Sequence, residues 1–279
     1  MSRAVAIGTF DGVHLGHRAV IEAAVATGLE TAVVTFHPHP RTVLGNRVEL
    51  LSTLERRVEL LKEAGADDVV VVEFTSELAS LTPEEFADRH LRPIGCDVVV
   101  AGEGFRFGRK RSGDLELLRR LGFETREVPL VEGVSSSQIR SFVHAGEMAG
   151  AARLLGRPFE LDGVVVSGDQ RGGTLGFPTA NLRIAADLLV PEYGIYAGAV
   201  DDQRAAVSIG VNPHYGGTER RIEAFLLDWE GDLYGDRLLL EIWQRLREER
   251  AFASEADLIA QIARDVEQTR AATRPDAQG

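Results

Sequence analysis

Short apolar runs alternate with amphipathic segments through the first half of the chain. The segments repeat apolar residues at helical spacing, as in RAVIEAAVAT at residues 18–27 and RRVELLKEAG at 56–65. Apolar runs that alternate with helices are typical of a parallel sheet covered on both faces. The pattern predicts a doubly wound α/β domain, in which ligands bind beyond the carboxyl ends of the strands. The predicted strands are residues 4–7, 31–36, 69–74, 98–101 and 125–128.

Two segments of this half carry the sequence signals of a helix start. Ser52 and Glu55 have the spacing of a capping box, and so do Thr82 and Glu85, with Pro83 at the first helical position. Such pairs satisfy N–H groups that a helix leaves open at its beginning. We therefore expect helices to begin after Ser52 and after Thr82.

The second half changes to short β-type runs that glycine-rich turns separate. This pattern predicts a small barrel or sandwich. Ser254 is expected to cap a closing helix whose apolar stripe is Leu258, Ile259, Ile262 and Val266. The change of pattern predicts two domains, residues 1–156 and 157–279. The predicted strands are residues 163–167, 195–200, 205–209, 222–227 and 238–243.

Composition narrows the class of protein. The net charge of −12 argues against a nucleic-acid-binding protein, because binding to the phosphate backbone needs a basic face. The single cysteine, Cys96, allows no disulfide within the chain. The sequence begins without a signal peptide pattern and contains no apolar run long enough to span a bilayer. We expect a cytoplasmic protein with no membrane and no nucleic-acid partner.

The stretch GTFDGVHLGH, residues 8–17, stands between the first predicted strand and the first predicted helix. A helix N-terminus offers free N–H groups and a positive dipole end, which suit a phosphate. Histidines there can donate hydrogen bonds to phosphoryl oxygens whose charge grows in a transition state. On these residues alone, a phosphate site, a metal pair and surface histidines stay open for His14 and His17. The other expected ligand-binding residues of this stretch are Gly8, Phe10, Asp11 and Gly16.

Two further stretches support a phosphate cleft. Residues 102–114, GEGFRFGRKRSGD, are basic and carry Phe107 among the charges. They predict a loop that clamps a polyphosphate or stacks on an aromatic ring, with a solvated charge run as the alternative. In SSSQIR, Arg140 can bind phosphate oxygens bidentately. Ser135 and Ser136 put hydroxyls at the same helix start, where capping alone is the alternative.

The second half contains SGDQRGGTLGFPTANL at residues 167–182. Thr179 and Asn181 are two residues apart, so in an extended segment they point the same way and can share one Mg²⁺. Glu223 is a carboxylate within an apolar strand pattern, which suits a general base. A glycine turn and an outward-facing strand residue are the alternatives. The glycine-rich loop residues Gly168, Arg171 and Gly176 are expected to fold over phosphates.

The motifs GTFDGVHLGH, TFHPHP, FRFGRKRSGD and SSSQIR occur in this order and resemble the adenylyltransferase module of the prokaryotic bifunctional riboflavin kinase/FMN adenylyltransferases, also called FAD synthetases. The resemblance implies a Rossmann-like HxGH nucleotidyltransferase domain that transfers AMP from ATP to FMN. It implies that His14 and His17 hold the ATP phosphates and stabilise the transition state. Arg140 and the serines before it would bind phosphates or adenosine.

The stretches GDQRGGTLGFPTANL, SIGVNPHYGG, IEAFLLDWEGDLYG and RLREERAFASEADLIAQI resemble the riboflavin kinase module of the same family, a six-stranded barrel with a terminal helix. The resemblance implies that Thr179 and Asn181 bind Mg²⁺ and ATP phosphates. Glu223 would deprotonate the ribityl 5′-hydroxyl of riboflavin, which attacks the γ-phosphate. The implied cofactor is Mg²⁺, and the implied substrates and products are ATP, riboflavin, FMN and FAD.

One departure from the family keeps alternatives open. Gly104 stands before F-x-F-G, where the family usually has Asp or Asn. The leading interpretation is a bifunctional enzyme, and the second is a riboflavin kinase with a weakened adenylyltransferase domain. A non-catalytic flavin-binding or flavin-sensing protein is the third, against which Thr179, Asn181 and Glu223 argue. The expected partners are small-molecule flavins and ATP, and weak self-association stays open.

Overall fold

The computed structural model describes residues 2–167, 177, 179–211 and 220–276. Backbone packing divides the chain into two compact units, Met1–Ser136 and Ser137–Gly279. The domain boundary after residue 156 stays a prediction.

The first unit contains a five-stranded parallel sheet with the strand order β3-β2-β1-β4-β5. Every strand predicted from the apolar runs in this half is present, and the doubly wound α/β fold is confirmed. The strand order reverses between β1 and β4, so the crevice for ligands lies at the carboxyl ends of these two strands. The strands are β1 (Arg3–Ile7), β2 (Glu30–His37), β3 (Asp68–Glu73), β4 (Cys96–Gly102) and β5 (Glu124–Val128).

Helices cover both faces of this sheet. A π-helical turn, Ala87–Leu91, continues α5, and 3-10 turns cover Arg92–Ile94 and Arg109–Arg111. The helices are α1 (Leu15–Val25), α2 (Pro40–Val43), α3 (Leu54–Glu63), α4 (Ser76–Ser80), α5 (Pro83–Phe86) and α6 (Leu115–Arg120).

The two faces have separate apolar cores because alternate strand residues point in opposite directions. Val34 and Val99 belong to the core that includes α5 and α6, whereas Val33 and Val100 belong to the core under α1 and α3. This burial on both sides explains why the strands read as continuous apolar runs.

One of the two helix-start predictions is confirmed. Thr82 and Glu85 form the complete capping box at α5. The prediction for Ser52 is wrong, because Thr53 is the N-cap of α3 and accepts the N–H of Arg56. Ser52 is buried, and its hydroxyl binds the loop that follows β1 instead.

The second unit contains a closed antiparallel barrel with the strand order β10-β7-β6-β11-β8-β9. The six-stranded barrel is confirmed. The apolar pattern missed β7, since it is short and carries Asn181 and Arg183 between its apolar residues. The elements are α7 (Ser136–His144), α8 (Met148–Leu155), β6 (Phe159–Val166), β7 (Ala180–Ile184), β8 (Gly194–Val200), β9 (Gln203–Val211), β10 (Arg220–Leu226), β11 (Arg237–Arg247) and α9 (Glu255–Ala271).

The closing helix α9 has a more polar buried side than the sequence predicts. Ser254 caps it as expected. Ile259, however, is 37% exposed and lies outside the buried stripe. The buried residues of α9 are Gln261, Asp265, Val266 and Thr269.

Within the described ranges, no helix is both long and apolar enough to cross a bilayer.

The thiol of Cys96 should be unreactive in the folded protein. Cys96 is 6% exposed at the start of β4, and burial, reinforced by Asp97, raises the pKa of its thiol to about 12. The reactive thiolate is therefore scarce at pH 8, and we expect Ellman's reagent to label the native protein only as slowly as it unfolds. The measurement is the absorbance of the released thionitrobenzoate over time, with and without guanidinium. In guanidinium, one equivalent per chain should be released at once. Rapid labelling of the native protein would contradict this burial.

Candidate active sites

The first candidate site lies at the carboxyl edge of the parallel sheet. β1 ends at Ile7, a loop covers residues 8–14, and α1 begins at Leu15. β4 is the neighbour of β1 and ends at Gly102, where the basic loop predicted from the sequence begins. Both predicted ligand loops therefore leave the sheet at the crevice where doubly wound folds bind ligands.

The backbone of the 8–14 loop is strained. Phe10 and Val13 have φ values of 50° and 41°, and Gly12 between them has 79°. A left-handed conformation costs a residue other than glycine on the order of 1–3 kcal/mol and persists only where the surroundings impose it. At Gly12 a Cβ atom would lie 2.7 Å from the Cβ of Leu51, so the loop packs too closely for any side chain there.

Residues before α3 hold the loop by hydrogen bonds. The carboxylate of Asp11, 1% exposed, accepts the N–H of Leu51 at 2.9 Å. Ser52, the residue wrongly expected to cap α3, accepts the N–H of Gly12 through its hydroxyl at 3.2 Å. Asp11 and Gly12 are thus fixed to a segment 40 residues away in sequence.

A buried guanidinium completes this attachment. Arg57 of α3 is fully buried and donates to the carbonyl oxygens of Thr9 at 3.2 Å and Phe36 at 3.1 Å. Its Nη2 atom lies 4.0 Å from Oδ1 of Asp11. Arg57 therefore binds the 8–14 loop and the end of β2 at once. The available signal was a charged residue on the face of α3 that also carries Leu60 and Leu61.

The two histidines meet at the start of α1. His14 is the N-cap, and its Nδ1 atom accepts the N–H of His17 at 3.3 Å. In the neutral ring this leaves the proton on Nε2, which can donate to a ligand. The two rings stack with centroids 3.5 Å apart, and Phe10 packs edge-on against His17 at 5.3 Å. A Cβ atom on Gly16 would lie 3.3 Å from the His14 ring, and one on Gly8 would lie 3.2 Å from the ring of Phe10.

The basic loop after β4 has a buried anchor and an exposed charged end. Phe107 is 8% exposed and stacks on Phe105 with centroids 5.6 Å apart. Beyond it, Lys110 and Arg111 are exposed and both have left-handed backbones, with φ values of 55° and 58°. The predicted contact between Phe107 and a ligand stays a prediction.

Gly104 also lies at this edge. Its φ value is 73°, and the space where a Cβ atom would lie is open. Its N–H donates to the carboxylate of Glu127 at 3.3 Å. A left-handed backbone favours glycine, and among the other residues it is Asn and Asp that adopt it most readily. The conformation therefore suits both this glycine and the residues that the family usually has there.

The predicted phosphate residues near α7 differ in exposure. Ser135 is exposed and Ser136, the first residue of α7, is half-buried. Arg140 is half-buried on the same helix, in the part of α7 that belongs to the second unit. Their binding roles stay predictions.

The second candidate site lies between β7 and β10 of the barrel. Asn181 and Glu223 are direct partners across these strands, so their side chains share one face. A larger cavity, about 510 Å³, is lined by Thr179, Asn181 and residues 229–234. A smaller cavity, about 310 Å³, is lined by Thr179 and Glu223. Thr179 therefore borders both cavities.

The smaller cavity combines an apolar wall with a few charged groups. The carboxylate of Glu223 is 30% exposed, and its Oε1 atom lies 3.3 Å from Nη1 of Arg221. Such a composition is typical of pockets that hold a flat organic ligand and orient it through a few polar contacts. The apolar wall consists of Phe177, Ile195, Phe225, Phe252, Leu258 and Ile262.

Three predicted ligand residues, Gly168, Arg171 and Gly176, lie outside the described residues. In the part of the chain that the structure describes, His, Cys, Asp and Glu side chains form no group of three that could hold a metal ion. The candidate metal donors are the hydroxyl of Thr179 and the amide oxygen of Asn181, which are ligands for a hard cation.

Comparisons with known proteins divide the chain in the same order. The family described as FAD synthetase matches residues 1–141, and the family described as riboflavin kinase matches residues 155–273.

Relatives match nearly the whole chain. A bifunctional riboflavin kinase/FMN adenylyltransferase from Listeria monocytogenes is 37% identical over 97% of this chain and 92% of that protein. Its counterpart from Escherichia coli strain K12 is 35% identical over 93% of this chain and 89% of that protein. A crystal structure of a macrolide-efflux protein from Streptococcus pneumoniae is 30% identical, has a TM-score of 0.87, and covers 98% of this chain and 95% of that one.

Replacing Arg57 by Met should selectively destabilise the first unit. The substitution removes one partner of a buried ion pair, the guanidinium 4.0 Å from the Asp11 carboxylate, and such a change typically costs about 3–5 kcal/mol. Both tryptophans, Trp229 and Trp243, lie in the second unit, so fluorescence reports on that unit alone. We expect the urea midpoint followed by far-ultraviolet circular dichroism to fall while the fluorescence midpoint stays.

The matched control is Arg120→Met. Arg120 is an α6 arginine whose side chain is 62% exposed, and its nearest carboxylate oxygen is 3.9 Å away. Exposed ion pairs of this kind contribute about 0–1 kcal/mol. Equal destabilisation by the two substitutions would show that Arg57 does not hold the loop in the way described.

Proposed function

Because the chain belongs to the bifunctional riboflavin kinase/FMN adenylyltransferase family, we propose that it converts riboflavin to FAD in two ATP-dependent steps. The barrel phosphorylates riboflavin to FMN, and the α/β unit transfers AMP to FMN with release of pyrophosphate. The observation that carries the proposal is the position of Thr179 between two cavities, with Asn181 beside one and Glu223 beside the other.

In the kinase step, the flavin ring packs against the apolar wall of the smaller cavity, and the ribityl chain extends toward Glu223. The Glu223 carboxylate accepts the proton of the 5′-hydroxyl, and that oxygen attacks the γ-phosphorus of ATP. The bond between the γ-phosphorus and its bridging oxygen breaks, and ADP leaves. Arg221, 3.3 Å from the carboxylate, restricts its orientation.

ATP occupies the larger cavity in this proposal, with its phosphates toward Thr179 and Asn181. Side-chain oxygens of these two residues would hold Mg²⁺, which when bound neutralises the charge of the phosphates. Two neutral protein ligands fit an ion that keeps most of its coordination for water and phosphate oxygens. Because Thr179 borders both cavities, it would hold the γ-phosphate at the side of the larger cavity that adjoins the smaller one. There the γ-phosphate is next to the riboflavin hydroxyl that attacks it. Residues outside the described ranges, Gly168, Arg171 and Gly176, stay predicted phosphate ligands.

In the adenylyl transfer step, a phosphate oxygen of FMN attacks the α-phosphorus of ATP, and pyrophosphate leaves. His14 and His17 donate hydrogen bonds to phosphoryl oxygens that gain negative charge during the attack. The N-terminus of α1 adds its free N–H groups at the same place.

The remaining residues of the first site divide between shaping the loop and contacting substrates. Phe10 and Asp11 are buried and support the loop conformation that presents the histidines, and their predicted contact with the ligand stays a prediction. Gly8 and Gly16 leave room beside the rings of Phe10 and His14. Direct contacts with nucleotide or flavin are proposed for Phe107, Ser135 and Ser136. The phosphate contact predicted for Arg140, a residue of the second unit, stays a prediction.

Glu223→Gln should stop the first step and spare the second. Gln keeps the shape of Glu223 but cannot accept the proton, so FMN formation should fall by about 10²–10⁴. The assay incubates the protein with riboflavin, ATP and Mg²⁺ and separates the flavins by chromatography. FAD formation from supplied FMN should remain. Wild-type rates of FMN formation in this variant would remove Glu223 from the reaction.

His17→Ala should have the opposite effect. Loss of one donor to a charged transition state typically lowers the rate by about 10²–10³, so FAD formation from FMN should fall by that factor while FMN formation continues. His144→Ala, an exposed histidine on α7, is the matched control. Intact FAD synthesis in His17→Ala would refute the proposed site.

Gly104 decides between the bifunctional enzyme and the alternative of a riboflavin kinase with a weak first unit. If the missing side chain limits adenylyl transfer, Gly104→Asn should raise the rate of FAD formation, because the open space and left-handed backbone accept Asn. The measurement is kcat/KM for FMN. Gly122→Asn, at another left-handed and open position in the first unit, is the control. An unchanged kcat/KM would mean that Gly104 is not the limiting feature.

A further inference from the structure

A polar network joins the last helix to the end of β11. Asp265 of α9 is 3% exposed, and its carboxylate receives hydrogen bonds from the guanidinium of Arg247: Nε to Oδ1 at 3.0 Å and Nη2 to Oδ2 at 2.7 Å. Gln261, one turn earlier on α9, donates to the same Oδ1 at 2.8 Å. Arg250 in turn donates to the side-chain oxygen of Gln261. Two contacts, Arg247 with Asp265 and Arg250 with Gln261, therefore connect α9 to residues 247–250.

The network also forms a wall of the smaller cavity. Arg247, Arg250 and Asp265 line that cavity together with Glu223. The ring of Phe252, another lining residue, has the guanidinium carbons of Arg247 and Arg250 at 5.7 Å and 5.0 Å from its centre. The part of the lining that Arg247, Arg250 and Asp265 provide is thus fixed by charged and polar groups that bind one another.

All three nitrogen atoms of the Arg247 guanidinium donate hydrogen bonds within the protein. Its Nε and Nη2 atoms bind Asp265, and Nη1 donates to the carbonyl oxygen of Glu248 at 2.9 Å. Hydrogen bonds from three nitrogen atoms restrict the guanidinium to one orientation, in which it lies over the ring of Phe252. Arginine planes stack well on aromatic rings.

Stability alone does not account for the network. Replacing a buried ion pair by well-packed apolar residues is often neutral or stabilising, and α9 already carries apolar residues on this side. An apolar contact does not impose a particular orientation on the groups that make it. A bidentate ion pair does, and it therefore holds both segments in one geometry.

We infer that Asp265 is a positioning residue for riboflavin phosphorylation: it fixes Arg247, so that α9 and residues 247–252 form a rigid wall for the flavin ring beside Glu223. The inference rests on the proposed function, because it assigns the smaller cavity to riboflavin. It adds a residue that acts through Arg247 and has no contact of its own with the reacting atoms.

The test compares Asp265→Asn with Asp265→Glu and with Glu267→Gln. Asn keeps the size of the side chain but turns an N–H₂ group toward a guanidinium N–H. Glu keeps the carboxylate. Glu267 is two residues away on the solvent side of α9, with a side chain that is 76% exposed, and it serves as the control. For each protein, KM for riboflavin, KM for ATP and kcat of FMN formation are measured, together with thermal unfolding by tryptophan fluorescence.

Displacement of α9 and residues 247–252 should lower the affinity for riboflavin, because these residues line the smaller cavity. It should leave the larger cavity, which is assigned to ATP, unchanged. In Asp265→Asn we expect KM for riboflavin to rise by about tenfold or more, since small displacements of a positioning group have effects of this size or larger. KM for ATP should not change. Asp265→Glu should recover part of the riboflavin affinity, and Glu267→Gln should match the wild type.

An unchanged KM for riboflavin in Asp265→Asn would overturn the inference. So would a similar rise in KM for riboflavin and KM for ATP together with a fall in thermal stability, which a purely structural role would produce. A wild-type protein that forms no FMN would overturn the proposed function instead. The two failures are therefore distinguishable.

Discussion

The first candidate site depends on one buried cation. The guanidinium of Arg57 binds the carbonyl oxygen of Thr9 and approaches the carboxylate of Asp11, and both lie in the loop that carries the strained residues. Left-handed backbones at Phe10 and Val13 would relax if the loop were free. The charge of Arg57 is taken out of water only because carbonyl oxygens and a carboxylate replace its hydration. Arg57, a residue of α3, thereby helps to place the loop that leads to the histidines at the start of α1.

In the barrel, strand register rather than a buried cation positions the side chains of the candidate site. The pairing of Asn181 with Glu223 puts an amide oxygen and a carboxylate on one face, and Thr179 lies at the boundary of the two cavities. A slip of one residue in β7 would turn its polar side chains to the barrel interior. The buried alternate residues, such as Leu182 and Ala224, prevent that slip because they must face inward. The same pairing therefore sets both the core packing and the positions of Asn181 and Glu223.

Sequence reasoning failed where a polar residue has a distant partner. Ser52 has a capping-box spacing, but its hydroxyl binds Gly12, and Thr53 caps the helix instead. Ile259 fits the apolar stripe of α9 but is exposed, whereas Gln261 and Asp265 are buried because they bind Arg250 and Arg247, the last residue of β11. In both cases the local pattern was compatible with a standard role, and a contact far along the chain decided otherwise.

By itself, the sequence determined the features that depend on neighbours along the chain. Strand and helix alternation, the capping box at Thr82 and the position of His14 and His17 before a helix follow from periodicity and local hydrogen bonding. The motifs likewise determined the family. Only the tertiary structure decided that Arg57 holds the 8–14 loop, that Thr179 borders two cavities and that Asp265 binds Arg247. These contacts join segments separated by 18 to 48 residues or depend on strand register, and no periodic signal encodes the pairing of one buried charge with another.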